Sequence, residues 1–236
     1  MSRPVLLAVA HGSRDPQAQQ AVLALAGRVG ELEPGAEVRT AFVQNAEPSL
    51  AGALAAAGRR DTVVVPLLLS AGYHLGQDIG AAAGRAGVPV AAPLGPDPGL
   101  IPALAERLAA ARVPPGTPVV LAAAGSADPR AIADTRSQAA MLAAHLQVPV
   151  LAAFASAGQP SLDEAVTALA ARTGGPVAVA SYLLAPGVFA GRLRASGAAW
   201  VSAPLGPHPA VAALVVERFR TRQAPREAAA GRPHRA

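Results

Sequence analysis

Two histidines follow apolar runs that are typical of buried strands, and their imidazoles are the side chains best suited to chemistry. His11 ends the run in "AVAHGSRDP", and His74 follows the run in "VVVPLLLSAGYHLG". Since ligands of open α/β sheets bind at the carboxyl ends of the strands, both imidazoles are expected at one rim. Two neutral imidazoles can hold a divalent metal ion with open positions, or accept protons near pH 7. A capping or core role for each histidine is the structural alternative.

Three further polar residues follow predicted strands and are candidates for the same rim. Glu47, in "EPSL" after the second predicted strand, can complete a catalytic site or complement the dipole of the helix that follows. Arg14 can bind an anionic substrate or lie in solvent. Ser13 can bind the substrate or cap a helix, and its recurrence as Ser126 favours capping.

The segment between the third predicted strand and His74 adds two candidates for substrate binding, Gly72 and Tyr73. Tyr73 is interpreted as a packed wall of the cleft rather than as a catalyst. Gln44 is nearer than Glu47 to the end of the second predicted strand, but an amide cannot act as a base.

The other histidines are weaker candidates. His145 lies within the helical pattern "SQAAMLAAHL", and we expect it to be structural. His208 replaces Asp97 in a repeated turn, which indicates variation of that turn. His234 belongs to the C-terminal tail.

The chain repeats the pattern around His11. The segment "AHGSRDP" (10–16) matches "AAGSADP" (123–129), and "APLGPDP" (92–98) matches "APLGPHP" (203–209). Three further pairs recur in the same order: 42–54 with 154–166, 67–77 with 182–192, and 105–108 with 216–219. Five ordered matches indicate a duplicated domain of about 110 residues. The prolines and glycine of "ARVPPGTP" mark the junction, so we expect domains at 1–113 and 114–219 and a disordered basic tail at 220–236.

Short apolar runs alternate with helical patterns within each half. The predicted strands are 4–10, 37–43, 62–69 and 88–92 in the first half, and 118–123, 148–154, 176–184 and 199–203 in the second. Continuous apolar runs are typical of parallel strands buried on both faces. The sequence therefore predicts an α/β fold of two tandem homologous domains, each with a four-stranded, mainly parallel sheet flanked by helices.

One helix can be placed in more detail. Asp15 is a predicted N-cap with Pro16 at the first helical position, and Asp128 with Pro129 repeats this start signal. The helical spacing then predicts one buried face that includes Val22, Leu25 and Val29.

The composition excludes several classes of function. The segment 220–236 has five arginines and one glutamate and so holds most of the formal net charge of +5, and aromatic residues make up only 3% of the chain. A nucleic-acid partner is therefore not expected.

The absence of cysteine excludes disulfides, thiolate metal sites and a cysteine nucleophile. The apolar run after Pro4 is too short for a signal peptide or a membrane span, so we expect a cytoplasmic protein with no membrane partner.

The motifs resemble those of the CbiX/SirB-type sirohydrochlorin chelatases, which are class II chelatases that need no ATP. The resemblance rests on "HGS" after the first strand, "EPSL" after the second and "PLLLSAGYHLG" after the third, and it covers residues 4–219. It implies two tandem chelatase-like domains that face each other across a cleft. The absence of a GxxxxGK[ST] phosphate loop agrees with chelation without ATP.

This resemblance implies that His11 and His74 bind the metal ion and assist deprotonation of the macrocycle. The second half has Ala124 and Phe189 at the corresponding positions, so we expect it to form a wall of the cleft and not a second site.

The chain departs from the family pattern in two places. The family often has an acidic residue where this chain has Gln44, and Glu47 alone is then expected to keep the acidic function. The chain also has no histidine-rich segment of the kind that some long cobalt-linked members carry, which slightly favours iron.

The implied reaction is the insertion of Fe²⁺ into sirohydrochlorin for sirohaem. Insertion of Co²⁺ for cobalamin is the alternative, and a non-catalytic tetrapyrrole or metal carrier is a further one. The divalent metal ion is a substrate, and no other cofactor is implied. Since sirohydrochlorin carries carboxylates, Arg14 and either Arg192 or Arg194 are expected to orient it. One chain supplies both walls of the cleft, so we expect a monomer.

The residues themselves disfavour two other enzyme classes. A histidine phosphatase needs an arginine just before the histidine, and Ala10 stands there. A serine hydrolase is disfavoured because the chain has no GxSxG motif.

Overall fold

The computed structural model describes residues 3–57, 61–72 and 75–230, with the backbone alone for 75–77 and 224–230. The elements of the first half are β1 (Val5–Ala10), α1 (Pro16–Leu32), β2 (Glu37–Phe42), α2 (Leu50–Ala57), β3 (Thr62–Pro66), a π-helical turn (Leu75–Gly80), α3 (Ala81–Ala86), a 3₁₀ turn (Pro98–Leu100) and α4 (Ile101–Ala110). The elements of the second half are β4 (Val119–Ala123), α5 (Pro129–Leu146), β5 (Val150–Phe154), α6 (Leu162–Thr173), β6 (Ala178–Tyr182), α7 (Val188–Arg194), β7 (Trp200–Val201) and α8 (Pro209–Ala230).

Each half contains one parallel sheet. The strand order is β2-β1-β3 in the first half and β5-β4-β6-β7 in the second. Ala10 pairs with Phe42 at the end of β1, and Ala123 pairs with Phe154 and Tyr182 at the end of β4. The central strands β1 and β4 are buried along their whole length, as expected of parallel strands covered on both faces. The predicted fold class of two tandem α/β domains is confirmed.

The first sheet corrects one detail of that prediction. The run 88–92 was expected to form a fourth strand, but the structure has only an isolated parallel bridge between Val90 and Val64. Pro89 and Pro93 flank this bridge and have no N–H to donate, which limits the ladder to the pair between them.

The starts of α1 and α5 confirm the predicted N-caps. The carboxylate of Asp15 accepts the backbone N–H of Gln17 at 2.9 Å, and that of Asp128 accepts the backbone N–H of Arg130 at 2.9 Å. In both helices a proline occupies the first turn. The N–H groups of this turn have no acceptor within the helix, so the absence of an N–H on proline costs no hydrogen bond. The buried face of α1 consists of Ala18, Val22, Leu25 and Val29. The predicted face is therefore confirmed.

The last helix of each half packs on the other half. Helix α4 packs against α5 and β6, and α8 packs against α1 and β3. Arg107 of α4 donates to the carbonyl oxygen of Leu205 at 2.8 Å, and Arg218 of α8 donates to that of Pro93 at 3.0 Å. Buried side chains of both halves belong to one hydrophobic cluster. The two halves therefore share a core, which fixes their relative position.

Helix α8 also corrects the predicted extent of the tail. The disordered tail was expected from residue 220, but the helix continues to Ala230, while 231–236 and so His234 lie outside the described residues. At the start of this helix, His208 Nδ1 accepts the backbone N–H of Ala210 at 3.1 Å. The residue therefore caps the helix, in agreement with its structural interpretation. Within the described part of the chain, no helix combines the length and apolar character needed to cross a membrane.

Candidate functional site

A cleft lies between the two halves, at the carboxyl ends of both central strands. It consists of two adjoining cavities of about 500 and 530 Å³. Both cavities are lined by His11, Leu67, Leu183, Leu184 and Phe189. This interdomain cleft is the position that the topology of open α/β sheets favours for a ligand.

His11 reaches the cleft because the chain turns sharply after β1. Gly12 has φ of +96°, and a Cβ added to it would lie 1.7 Å from the carbonyl oxygen of Gln44. Only glycine fits this turn, since other residues adopt positive φ at a cost and would collide with the neighbouring backbone. The backbone N–H of Gln44 in turn donates to the carbonyl oxygen of His11 at 3.0 Å. The loops after β1 and β2 are thereby joined, and the imidazole is half-buried at the predicted rim.

The side chain of Gln44 also contacts His11. Its amide nitrogen lies 2.8 Å from His11 Nε2. Because the amide nitrogen can only donate, Nε2 is the acceptor in this arrangement. The lone pair of Nε2 is the electron pair that a metal ion or a proton would bind. In the structure this lone pair accepts the hydrogen bond from Gln44. Sequence reasoning excluded Gln44 as a base and treated it as a departure from the family pattern, so it missed this contact.

Two predicted residues next to His11 have different surroundings. Ser13 Oγ accepts the backbone N–H of Asp15 at 3.0 Å, and Ser126 does the same for Asp128 at 3.0 Å. Both serines therefore form a local turn that leads into the N-cap, and the helical N–H groups are accepted by Asp15 and Asp128 instead, so Ser13 does not itself cap α1. Arg14 is exposed, lines the second cavity, and makes no hydrogen bond or ion pair with the described part of the chain. Its guanidinium is therefore available to an anionic ligand.

Glu47 lies away from the cavities. Its Oε2 accepts the backbone N–H of Ser49 at 2.7 Å, just before α2, and the residue is exposed. It lines neither cavity of the cleft. This geometry is that of a carboxylate at a helix N-terminus, which is the alternative role that the sequence left open.

The third strand leads to the remaining predicted residues. Gly72 lines the first cavity, and a Cβ added to it would lie 3.8 Å from the side chains of Ala131 and Ser126 in the second half. Tyr73 and His74 lie outside the described residues, so the pairing of His74 with His11 stays a prediction. Among the residues that the structure describes, no three His, Cys, Asp or Glu side chains converge as a metal site would require.

The second half forms the opposite wall of the cleft. Ala124, which corresponds to His11, lines the first cavity, and Phe189, which corresponds to His74, lines both. The guanidinium of Arg192 lies 5.6 Å from the ring centroid of Phe189 and donates to the carbonyl oxygen of Ala155 at 2.9 Å. Arg192 is thus held beside Phe189, but both Arg192 and Arg194 are exposed residues of α7 that line neither cavity.

Polar residues of the second half were missed by the sequence reasoning. The hydroxyl of Tyr182 donates to the carbonyl oxygen of Leu69 at 2.7 Å, and Asp134 Oδ2 accepts the backbone N–H of Ala71 at 2.8 Å. Burial raises the pKa of the Tyr182 phenol far above its ordinary value, and the carboxylates of Asp134 and Asp97 raise it further. The hydroxyl therefore stays protonated and donates at any working pH.

The fold and the site together define a class of duplicated α/β proteins with a histidine on one wall of the cleft between their halves. The model of the CbiX family matches residues 5–111 and 118–222, so nearly the whole chain is covered. The chain belongs to the CbiX family.

Individual relatives match in sequence over a shorter stretch. The sirohydrochlorin cobaltochelatase of Methanosarcina acetivorans is 32% identical over 77 residues, which are 31% of this chain and 59% of that protein. The sirohydrochlorin cobaltochelatase of Methanococcoides burtonii is 31% identical over 77 residues, with the same shares. The match thus spans less than two thirds of the length of these curated relatives.

Solved structures match over both halves. SirB from Bacillus subtilis with Fe³⁺ has a TM-score of 0.82 and 26% identity, covering 96% of this chain and 98% of that one. DR2241 from Deinococcus radiodurans has a TM-score of 0.70 and 23% identity over 92% of this chain and 54% of that one, which shows the shared fold. The fold of both halves is therefore common to these structures.

Proposed function

We propose that this protein is a sirohydrochlorin chelatase that inserts a divalent metal ion without ATP. The observation that carries the proposal is the placement of His11 in the cleft between two halves that both match the CbiX family. Mainly apolar residues line this cleft, which suits the flat rings of a macrocycle. The guanidinium of Arg14 at its edge suits the carboxylates of sirohydrochlorin.

His11 is the proposed proton acceptor and metal ligand. Insertion removes two pyrrole protons while the metal ion exchanges water for the ring nitrogens, and a neutral imidazole can take either partner. The amide of Gln44 must first release Nε2, from which it lies 2.8 Å. Turned over, the same amide presents its oxygen to a protonated imidazole. Gln44 can therefore serve His11 in both protonation states.

His74 is the second proposed ligand and proton acceptor. The support for this role is the family resemblance of "PLLLSAGYHLG" and its position in the chain after β3. Since β1 and β3 are adjacent parallel strands, residues that follow them begin at the same edge of the sheet. The opposite wall, with Ala124 and Phe189, offers apolar surface to the second face of the macrocycle.

Iron is the proposed metal and cobalt the alternative. SirB with Fe³⁺ is a solved relative that matches both halves of the chain. The curated cobaltochelatases are more identical but match only 77 residues, which is a specific reason to test cobalt beside iron. Both ions accept imidazole ligands, so the residues of the cleft fit either. The corresponding product is sirohaem for iron and a cobalt-containing precursor of cobalamin for cobalt.

The test is anaerobic absorbance of sirohydrochlorin with Fe²⁺, Co²⁺ or Ni²⁺. We expect wild-type protein to accelerate spectral conversion above the spontaneous rate, and His11→Ala and His74→Ala to abolish the acceleration. His145→Ala, which removes an exposed histidine of α5 away from the cleft, is the matched control and should retain the rate. Binding of sirohydrochlorin without acceleration by any metal would instead identify a non-catalytic carrier.

A further inference from the structure

Two side chains of the second half hydrogen-bond to the backbone of one loop in the first half. This β3 loop comprises residues 67–72. Tyr182 donates to the carbonyl oxygen of Leu69 at 2.7 Å, and Asp134 accepts the N–H of Ala71 at 2.8 Å. From within the first half, the N–H of Leu94 donates to the carbonyl oxygen of Leu68 at 2.8 Å. The backbone of the loop is thus bound from both sides.

A third polar side chain of the second half binds a neighbouring loop of the first half in the same way. This second loop contains Gly95 and Asp97 and precedes the 3₁₀ turn. Gln138 Oε1 accepts the N–H of Asp97 at 2.8 Å, and its Nε2 donates to the carbonyl oxygen of Asp97 at 3.1 Å. Gly95 lets this loop approach, since a Cβ there would lie 2.1 Å from the Tyr182 hydroxyl and 2.4 Å from the carbonyl oxygen of Leu69. The two loops and the three side chains are therefore in one hydrogen-bonded contact.

The duplicated sequence shows that these contacts run in one direction. Residue 129 corresponds to 16 and residue 182 to 67, and the buried faces of α1 and α5 have the same spacing. Asp134, Gln138 and Tyr182 therefore correspond to Ala21, Leu25 and Leu67. Apolar side chains cannot donate or accept hydrogen bonds, so the first half has no equivalent contacts from these three positions.

If the second half were only a structural wall, burying the polar side chains of Gln138 and Tyr182 would cost free energy without a benefit. Gln138 is fully buried and Tyr182 is 2% exposed. A buried polar group costs free energy unless it is hydrogen-bonded, and the first half fills the same positions with leucine. The polar groups of the second half are satisfied by the loops of the first half, which is what distinguishes them from their counterparts.

We propose that Asp134, Gln138 and Tyr182 are positioning residues with which the second half holds the β3 loop against the cleft. This inference rests on the proposed chelatase function. The loop lines the cleft through Leu67 to Ser70 and Gly72, and the chain continues from it to His74 two residues later. The second half has no histidine at the cleft, and its role is to fix the backbone from which the first half presents one.

The experiment compares Tyr182→Phe and Asp134→Ala with two matched controls. Ser202→Ala removes a buried hydroxyl that accepts the N–H of Ser181 at 3.0 Å, beside the same strand. Asp128→Ala removes the N-cap of the helix that carries Asp134. Neither control residue contacts the β3 loop through a hydrogen bond. The measured quantities are kcat, the KM for sirohydrochlorin, and hydrogen–deuterium exchange of the segment 67–72.

We expect Tyr182→Phe and Asp134→Ala to lower kcat by roughly tenfold to hundredfold with KM unchanged, because misplacement of reacting groups by about 1 Å has such effects. Exchange of the loop amides should accelerate in both variants and not in the controls. Asp134→Asn should restore kcat, since its amide oxygen can accept the same N–H.

Retention of kcat by both variants, or an equal loss in the controls, would overturn the proposal. If wild-type protein itself fails to accelerate chelation, the proposed function is wrong. The positioning role is then tested only by the hydrogen–deuterium exchange of the β3 loop. Unchanged exchange in both variants would then overturn the positioning role, and faster exchange confined to 67–72 would support it.

Discussion

The amide nitrogen of Gln44 lies 2.8 Å from Nε2 of His11, so the atom best placed to bind a metal ion already has a hydrogen-bond partner. The loops that carry the two residues are also joined through their backbones, because the N–H of Gln44 donates to the carbonyl oxygen of His11. Gln44 therefore has two relations to His11: its backbone fixes the turn, and its side chain occupies the lone pair.

The first prediction concerns this occupied lone pair. Gln44→Ala removes the donor and leaves the backbone hydrogen bond in place, so the amide no longer competes with a metal ion for Nε2. A net hydrogen bond of this kind contributes about 0.5–1.5 kcal/mol, which corresponds to a rise in metal affinity of about twofold to tenfold. Titration with Co²⁺, followed by its visible absorption, measures the affinity, and His11→Ala is the control that removes the ligand. Weaker binding by Gln44→Ala would mean that the amide orients the imidazole for the metal rather than competing with it.

The sequence was sufficient for the elements that depend on local patterns. The duplication, the alternation of strands and helices, and the caps at Asp15 and Asp128 are all encoded in neighbouring residues. The run 88–92 was predicted to be a strand because it is apolar, but the structure has only a single bridge at Val90. The effect of the flanking prolines on pairing can be judged only when the partner strand is known. The extension of α8 past residue 220 was missed since that segment has no apolar periodicity.

The site depends more on tertiary contacts. His11 was placed at the correct rim from its position after β1, but its contact with Gln44 needs the close approach of two loops at Gly12. The glycine was visible in the sequence, whereas the distance to its neighbour was not. The sequence did contain a signal for the polar contact of Tyr182 with the β3 loop, because the alignment of the two repeats matches this tyrosine with Leu67. A polar residue at a position that is apolar in the other copy indicates a contact outside its own half.

The second prediction concerns the turn after β1. Gly12→Ala should destabilise the protein by at least about 2 kcal/mol, since the added Cβ meets backbone and φ is strongly positive. Gly27→Ala is the matched control: Gly27 lies in α1, and a Cβ there meets no atom within 4 Å. That variant should gain about 0.5–1 kcal/mol because alanine favours the helix. Urea unfolding measures both, and equal effects of the two variants would contradict the steric account of Gly12.

The third prediction concerns the start of α6. Ser161 and Glu164 form a capping box, and hydrogen bonds from the side chain and then the backbone of Ser161 lower the pKa of the Glu164 carboxyl. A carboxyl with a lowered folded-state pKa stabilises the fold above its unfolded pKa of about 4.3, and this stability is lost as the pH falls through the lowered value. Glu164→Gln should therefore reduce the loss of stability below pH 4.3. Urea midpoints at pH 7 and at pH 3.5 measure the loss, and an unchanged difference between them would refute the role of the box.

The last prediction concerns recognition of the substrate by Arg14. Its guanidinium lines the cleft and has no carboxylate partner in the described part of the chain, so a carboxylate of sirohydrochlorin can bind it without first breaking an ion pair. Arg14→Ala should raise KM for sirohydrochlorin by about threefold to tenfold with little change in kcat, since the contact is made equally in the bound substrate and in the transition state. The increase should shrink at high salt, because an exposed charge pair is screened.

Two variants separate this role from general effects of charge. Arg28→Ala removes the same charge from an exposed position of α1 that does not line the cleft, and it should leave KM unchanged. Arg14→Lys keeps the charge but loses the planar fork that can grip a carboxylate with two donors, so it should fall between wild type and Arg14→Ala. If Arg28→Ala raises KM as much as Arg14→Ala does, the protein attracts sirohydrochlorin through its overall charge. A selective effect at Arg14 would instead place a carboxylate of the macrocycle at the rim beside His11, with the ring nitrogens directed into the cleft.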